Sequence, residues 1–224
     1  MSAILRNRFP ARERLRLTEM FCSLQGEGLT AGVPTAFLRL TGCPLRCRYC
    51  DTTYAFTGGE WYAIDQVLEH VAGWPVRHVC VTGGEPLAQP GCSSLITALC
   101  DAGYSVSLET SGALDIGGLD ERVSRVVDIK TPGSGEARRN LWENIPLLTS
   151  RDQVKFVICD RADFDWALER LDIHELPARC PVFFSPSWNQ LEPSLLADWI
   201  LAAGAPVRLQ VQLHKILWGD VPGR

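Results

Sequence analysis

Cys43, Cys47 and Cys50 stand between Thr41 and Thr53 with the spacing C-x3-C-x2-C. They supply three thiolates, whereas a structural zinc site or an ordinary electron-transfer cluster takes four protein ligands. Three thiolates on a four-iron cluster leave one iron open to a small molecule, which makes the triad a candidate catalytic cluster. Zinc is the competing reading. No nearby His or fourth Cys completes a zinc set, and His70 and His78 lie well beyond Cys50 in the chain.

Other polar motifs could serve the same chemistry. Gly83-Gly84-Glu85-Pro86 lets backbone approach a ligand and offers a carboxylate, or it is a plain turn. Glu109-Thr110-Ser111-Gly112 offers a carboxylate and two hydroxyls, or an N-cap. Lys130 to Gly135 could be a surface loop, with Lys130 paired to Asp128. Asp51, Thr52 and Thr53 place hard oxygens beside the soft sulfur site, and Mg²⁺ needs only one or two protein oxygens. Gln25-Gly26-Glu27-Gly28 suits ligand approach or a hairpin turn. Arg39 is a lone charge in an apolar strand and requires an anionic partner, from ligand or protein. Trp188 and Trp218 could stack on a flat ring or fill a core.

The elements that carry these motifs recur in one pattern. Short apolar runs over Thr35–Leu40, Arg77–Thr82, Tyr104–Leu108, Arg125–Ile129, Gln153–Ile158, Pro181–Phe184 and Val207–Leu213 each end abruptly in a polar motif. Helical periodicity falls between several of them, over Ala63–Ala72, Ser93–Ala102, Asp163–Leu171 and Glu192–Ala203. Gly103 and Gly204 act as stops. Alternating strands and helices predict parallel β-α units, whose ligands lie at the carboxyl ends of the strands. Residues 115–150 show no clear helix, so the expected fold is α/β, a reduced or irregular, partly open barrel.

Composition bounds the rest. The 224 residues are 46% hydrophobic, enough for one domain with an extension. A net charge of −4 gives no electrostatic reason for nucleic-acid binding. No apolar run is long enough to cross a membrane. Residues 1–16 form a basic arm, expected to be flexible, and 17–224 a single domain. The six scattered cysteines suit a reducing cytosol, so the expected location is cytoplasmic.

The triad after the first strand and the GGEP run after the second resemble the radical S-adenosylmethionine (SAM) enzymes. Leu24 to Gly28, Arg39, Cys50-Asp51-Thr52, Glu109 to Gly112 and His214-Lys215 narrow the resemblance to the 7-carboxy-7-deazaguanine synthases, over roughly residues 17–224. The resemblance implies a partly open radical SAM (β/α) barrel of about six parallel strands plus an N-terminal extension. It implies a lyase that turns 6-carboxy-5,6,7,8-tetrahydropterin into 7-carboxy-7-deazaguanine by radical ring contraction with loss of ammonia, in queuosine or 7-deazapurine biosynthesis. A glycyl-radical activase of the same superfamily is the alternative.

By position, the resemblance places a 4Fe–4S cluster on Cys43, Cys47 and Cys50, and Mg²⁺ on Thr52. SAM would meet Tyr49, Gly84, Glu85, Gly112, Lys130, Thr131, Pro132, Gly133 and Ser134. The pterin would meet Leu24, Gln25, Gly26, Glu27, Arg39, Thr110, His214 and the carboxylate of Arg224. An electron donor such as flavodoxin and a homodimer are also implied.

Overall fold

The computed structural model describes residues 14–221 and Gly223. The first strand, β1 (Arg14–Leu24), turns Leu15 and Leu17 into the core. It runs antiparallel to β2 (Pro34–Leu40) on one side and to β3 (Glu60–Ala63) on the other. Six further strands follow: β4 (His78–Gly83), β5 (Ser105–Thr110), β6 (Ser124–Ile129), β7 (Gln153–Ile158), β8 (Val182–Pro186) and β9 (Arg208–Leu209). From β2 onward each pairs in parallel with the next along the order β3-β1-β2-β4-β5-β6-β7-β8-β9. The two ends of that order do not pair, so the sheet stays open as the sequence predicts.

The helices are amphipathic covers for this sheet. In α1 (Ile64–Ala72), Ile64, Val67, Leu68 and Val71 recur at helical spacing and all are buried. The others are α2 (Cys92–Asp101), α3 (Arg161–Ile173), the short α4 (Leu176–Arg179), α5 (Pro193–Ala203) and α6 (Leu213–Trp218). Asp160 caps α3 by accepting from the Asp163 N–H at 2.9 Å. α5 ends at the left-handed Gly204, and Gly103 is likewise left-handed just past α2. Two apolar clusters form the core, one over β1, β2, β4 and α1–α2, the other over β6–β8, α3 and α5. In the second, Phe164 and Phe156 pack edge-on against Phe184 at 5.8 and 5.5 Å. Each fully buried ring contributes about 2–3 kcal/mol of transfer free energy.

Two differences from the sequence reading have physical causes. Arg14, Leu15 and Arg16 are not part of an arm but open β1, pairing with Ala63, Tyr62 and Trp61. Residues 1–13 of that arm lie outside the described residues. The predicted strand Val207–Leu213 is only two residues long. After Leu209 the chain turns toward the N-terminal loop, where Gln210 Oε1 accepts from Gly28 N–H and Leu213 N–H donates to Gly26 O. Seven strands share the parallel direction, in keeping with the six or so that the resemblance implies, the seventh being this short β9.

No α-helix joins β5 to β6, and β6 leads to β7 through 3₁₀ turns at Pro132–Ser134, Ala137–Arg139 and Trp142–Leu147. The buried side chain of Asn144 substitutes for helical hydrogen bonds. It accepts from Ile116 N–H and donates to Gly112 O and Leu114 O.

Candidate active site

The carboxyl ends of the parallel strands surround a cavity of about 510 Å³. Cys43, Cys47 and Cys50 line it as half-buried free thiols on the loop after β2. That loop is held by backbone. Gly42 N–H donates to Ala55 O, Glu85 N–H to Gly42 O, Arg48 N–H to Ser134 O, and Arg46 N–H to the Glu136 carboxylate at 2.7 Å. Burial pushes the Cys47 thiol up to about 11, so loading a metal there must displace a firmly held proton.

Of the residues singled out from sequence, Leu24, Gln25, Gly26, Glu27, Arg39, Tyr49, Thr52, Gly84, Lys130, Thr110 and His214 also line the cavity. They come from loops far apart in the chain. A Cβ at Gly26 would overlap the His214 ring, so any other residue there would have to displace that ring. Gly84 is equally constrained, since its Cβ would lie 2.7 Å from that of Cys43. Arg39 finds its anion in Glu19 across the β1–β2 pair, at 2.6 Å.

Glu85, Gly112 and Thr131–Ser134 lie behind the cavity wall rather than in it. The Glu85 carboxylate is fully buried. It accepts from Thr110 Oγ1, Leu87 N–H, and both the N–H and hydroxyl of Ser111. It therefore ties β4 to the end of β5 instead of reaching for a ligand. Gly112 has φ +69 and would meet Val127 with a Cβ. The Thr131–Ser134 turn is bound to Asp163, whose carboxylate accepts from Gly133 N–H at 2.7 Å and Cys159 N–H at 3.1 Å. Through Ser134 O it braces the cysteine loop. Arg224 lies outside the described residues.

Glu85→Gln should lower stability by about 2 kcal/mol, because one amide hydrogen pair must face a backbone donor. Denaturant unfolding reads this directly, and an unchanged midpoint would mean the carboxylate has another task.

The structure joins Glu27, Asp128 and Lys130 through Lys155, a buried charge that the sequence left unassigned. Lys155 on β7 places Nζ 2.6 Å from Glu27 Oε2 and 3.5 Å from Asp128 Oδ2. Asp128 Oδ2 is 3.1 Å from Lys130 Nζ, which sits 5.8 Å from the Tyr49 ring. Gln212 Nε2 donates to Glu27 Oε1 at 2.8 Å. A ladder of alternating sign thus crosses the cavity floor from Glu27 to Tyr49 on the cysteine loop. Burial raises the Glu27 carboxyl, but the Lys155 ammonium and the hydrogen bonds outweigh it and leave its pKa lowered. Burial alone would lower Lys155, yet Glu27 and Asp128 raise it well above the usual value, so it stays charged. The logic that flagged Arg39, a charge inside an apolar strand, also marks Lys155 in Gln153–Ile158.

Phe21 and Phe37 form a flat wall, stacked at 4.9 Å and 8°. Glu109 lies beyond it, accepting from Thr82 Oγ1 at 2.9 Å and Gln25 Nε2 at 3.4 Å. Lys215 holds Asp51 at 2.7 Å and thereby brings the Asp51 carboxyl down to about 2 despite its burial. Asp51 Oδ1 accepts from Thr52 Oγ1 at 2.9 Å.

The donor set has the chemistry for an iron–sulfur cluster, since three soft thiols on one loop face one cavity, although no three His, Cys, Asp or Glu side chains among the described residues already stand close enough to hold a metal ion. Three buried polar atoms around the cavity, Tyr49 Oη, Asp128 Oδ1 and Ser185 Oγ, have no partner among the described residues. Such atoms leave hydrogen-bonding capacity for a bound molecule or for water.

Comparison with known proteins agrees with this geometry. The Radical SAM superfamily pattern matches residues 38–175. The chain is 44% identical over 207 residues to the 7-carboxy-7-deazaguanine synthase of Chlorobaculum tepidum, covering 91% of this chain and 94% of that one. It is 38% identical over 219 residues to the 7-carboxy-7-deazaguanine synthase of Koribacter versatilis, covering 91% and 97%. Among solved structures, QueE from Escherichia coli superimposes with a TM-score of 0.75 at 25% identity, covering 90% of this chain and 95% of that one.

Proposed function

The chain belongs to the radical SAM superfamily and, within it, to the 7-carboxy-7-deazaguanine synthase family, and from that premise we propose that it contracts the ring of 6-carboxy-5,6,7,8-tetrahydropterin to give 7-carboxy-7-deazaguanine and ammonia. In class it is a carbon–nitrogen lyase. The observation that carries the reading is the convergence of the cysteine triad with Leu24–Glu27, Arg39, Thr110 and His214 on one cavity. The activase alternative is not favoured, since the named relatives are synthases matched over nearly their whole length.

Cys43, Cys47 and Cys50 would hold the 4Fe–4S cluster. Bound there together with SAM, that group would supply a carbon-centred radical on one-electron reduction. The remaining work belongs to the chain. The Phe21–Phe37 wall offers a flat apolar face for a bicyclic ring. Glu27, ionised and held from behind, accepts hydrogen bonds from the ring's amino and amide N–H groups. Arg39, which lines the same cavity as Thr52, favours the substrate carboxylate. The lining excludes water from a reactive intermediate.

Mg²⁺ is proposed at Thr52 Oγ1, supported by the adjoining Asp51 oxygen and the cation's need for few protein ligands. Thr52→Ala should raise the Mg²⁺ required for half-maximal turnover about tenfold while SAM affinity changes far less. Equal loss of both would place the damage in the cysteine loop.

A homodimer is proposed from the resemblance. Leu195 and Leu201 on α5, with Ile216 and Leu217 on α6, supply exposed apolar surface for it, and sedimentation tests it. The nine free thiols suit a reducing compartment, which supports a cytoplasmic location. No helix among the described residues is long and apolar enough to cross a membrane.

The deciding experiment is anaerobic. The protein is reconstituted with iron and sulfide, then given dithionite, SAM, Mg²⁺ and 6-carboxytetrahydropterin. Mass spectrometry should detect 7-carboxy-7-deazaguanine. Formation of 5′-deoxyadenosine without it would retain the radical chemistry and reject the substrate.

A further inference from the structure

The substrate and the sum of product and ammonia have the same composition, so the reaction consumes no net electrons. The cluster must still gain one electron before it acts, and a protein donor has to reach it from outside. The surface beside the cysteine loop is informative here. Arg46 and Arg48 flank Cys47 and are exposed. Their backbone N–H groups bond to Glu136 and Ser134, which joins the cysteine loop edge-on to residues 134–136. Directly after these, the 3₁₀ turn Ala137–Arg139 presents Arg138 and Arg139, both exposed.

The four arginines differ in use. The Arg46 guanidinium donates to Cys43 O and Leu45 O and lies 4.2 Å from the Phe56 ring, so it braces the loop. Arg48 lies over Gly135 and reaches the cavity rim. Among the described residues, no carboxylate pairs with the side chains of Arg48, Arg138 or Arg139. The nearby acids are already engaged: Glu136 accepts from Arg46 N–H, and Asp51 is neutralised by Lys215. A chain of net charge −4 thus gathers unpaired positive charge where its cluster loop meets the surface.

We propose that Arg138 and Arg139, with Arg48, form the docking face for an acidic one-electron carrier protein that reduces the cluster. The inference rests on the cluster assignment above. In the transfer the carrier loses one electron and the cluster gains it, with no bond made or broken in the chain. A patch of one sign beside the acceptor steers an oppositely charged partner and orients it before contact. Glycine at 135 leaves the rim low between Arg48 and the 137–139 turn.

The test uses holoenzyme and flavodoxin as the probe. Arg138→Glu/Arg139→Glu should weaken flavodoxin affinity about tenfold or more at low salt and flatten its salt dependence. The rate of cluster reduction by flavodoxin hydroquinone should fall to match, while reduction by dithionite, a small ion with no docking need, stays within about twofold. The control is Arg77→Glu/Arg151→Glu, with the same change in net charge but at the amino ends of β4 and β7, away from the cluster. It should leave flavodoxin affinity unaltered. Unchanged affinity in the first variant, or equal weakening in the control, overturns the proposal. Neither measurement needs the pterin, so both stay decisive if the substrate assignment fails.

Discussion

A Cys47→Ala variant should fold, lose bound iron on reconstitution, and turn over at least about a thousandfold more slowly, a loss of about 4 kcal/mol at the transition state. The expectation follows from what Cys47 does in the protein without metal. Its side chain is half-buried at the cavity, and among the described residues no hydrogen bond depends on its sulfur. The loop's shape is set by backbone partners on residues 42, 46, 48 and 85. Removing one sulfur therefore costs the fold little. Iron content, the visible absorption of the cluster and circular dichroism check the three parts separately. A variant that unfolds yet keeps its iron would show a structural cysteine and refute the cluster.

Lys155→Met should lower kcat/KM for the pterin about a hundredfold and make substrate affinity newly dependent on pH. Lys155 is the cation between Glu27 and Asp128, and breaking a buried pair costs about 3–5 kcal/mol because the partner charge stays desolvated. The groups facing Glu27 are Lys155, Gln212 and His214, and those facing Lys155 are Glu27, Asp128 and Glu109. In the native protein the Glu27 pKa is depressed. Its favourable contribution is therefore complete above the ordinary carboxylate value and is lost only as pH falls through the lower folded value. Without Lys155, burial dominates and the pKa rises, so binding should weaken progressively as pH falls through the raised carboxyl value, beginning above the ordinary carboxylate range. His214, whose pKa burial lowers, gains compensating positive charge only below the ordinary imidazole value. Equilibrium binding to unreduced holoenzyme measures this without turnover. Lys155→Arg should recover part of the affinity and flatten the profile, which separates a lost charge from a damaged core. A flat profile in Lys155→Met would remove Lys155 from substrate binding.

The cysteine triad, the strand-end position of each polar motif and the open parallel sheet were legible in the chain, because each is a local pattern. Apolar runs ending at Leu40, Thr82 and Ile129 place their next residues on one rim whatever the details of packing. The lone charge Arg39 pointed to an anion, and Glu19 supplies it. What escaped was pairing across the fold. Nothing near Glu85 announces that Ser111 will fill its carboxylate, and so a ligand contact was expected where the protein bonds to itself. The short β9 was hidden for a similar reason. Val207–Leu213 has strand propensity throughout, but Gln210 N–H makes the last bond to β8, at Phe184 O, and beyond it the chain bends away as the Gln210 side chain and Leu213 N–H find partners at Gly28 and Gly26. Asn144 replaces a missing helix through three bonds to distant backbone, and no local spacing encodes that.

An open sheet leaves two rows of backbone groups that could recruit another chain. Among the described residues both rows are short. β3 has four residues, enters from Gly58 and Gly59 with positive φ, and gives way at once to α1. β9 has two, and its chain then departs for the cavity loop. The long apolar strands that would template misassembly, β2 and β4 through β8, all lie inside the order. The same brevity that leaves the barrel unclosed therefore protects the molecule from aggregation through its edges, at synthesis and at high concentration alike.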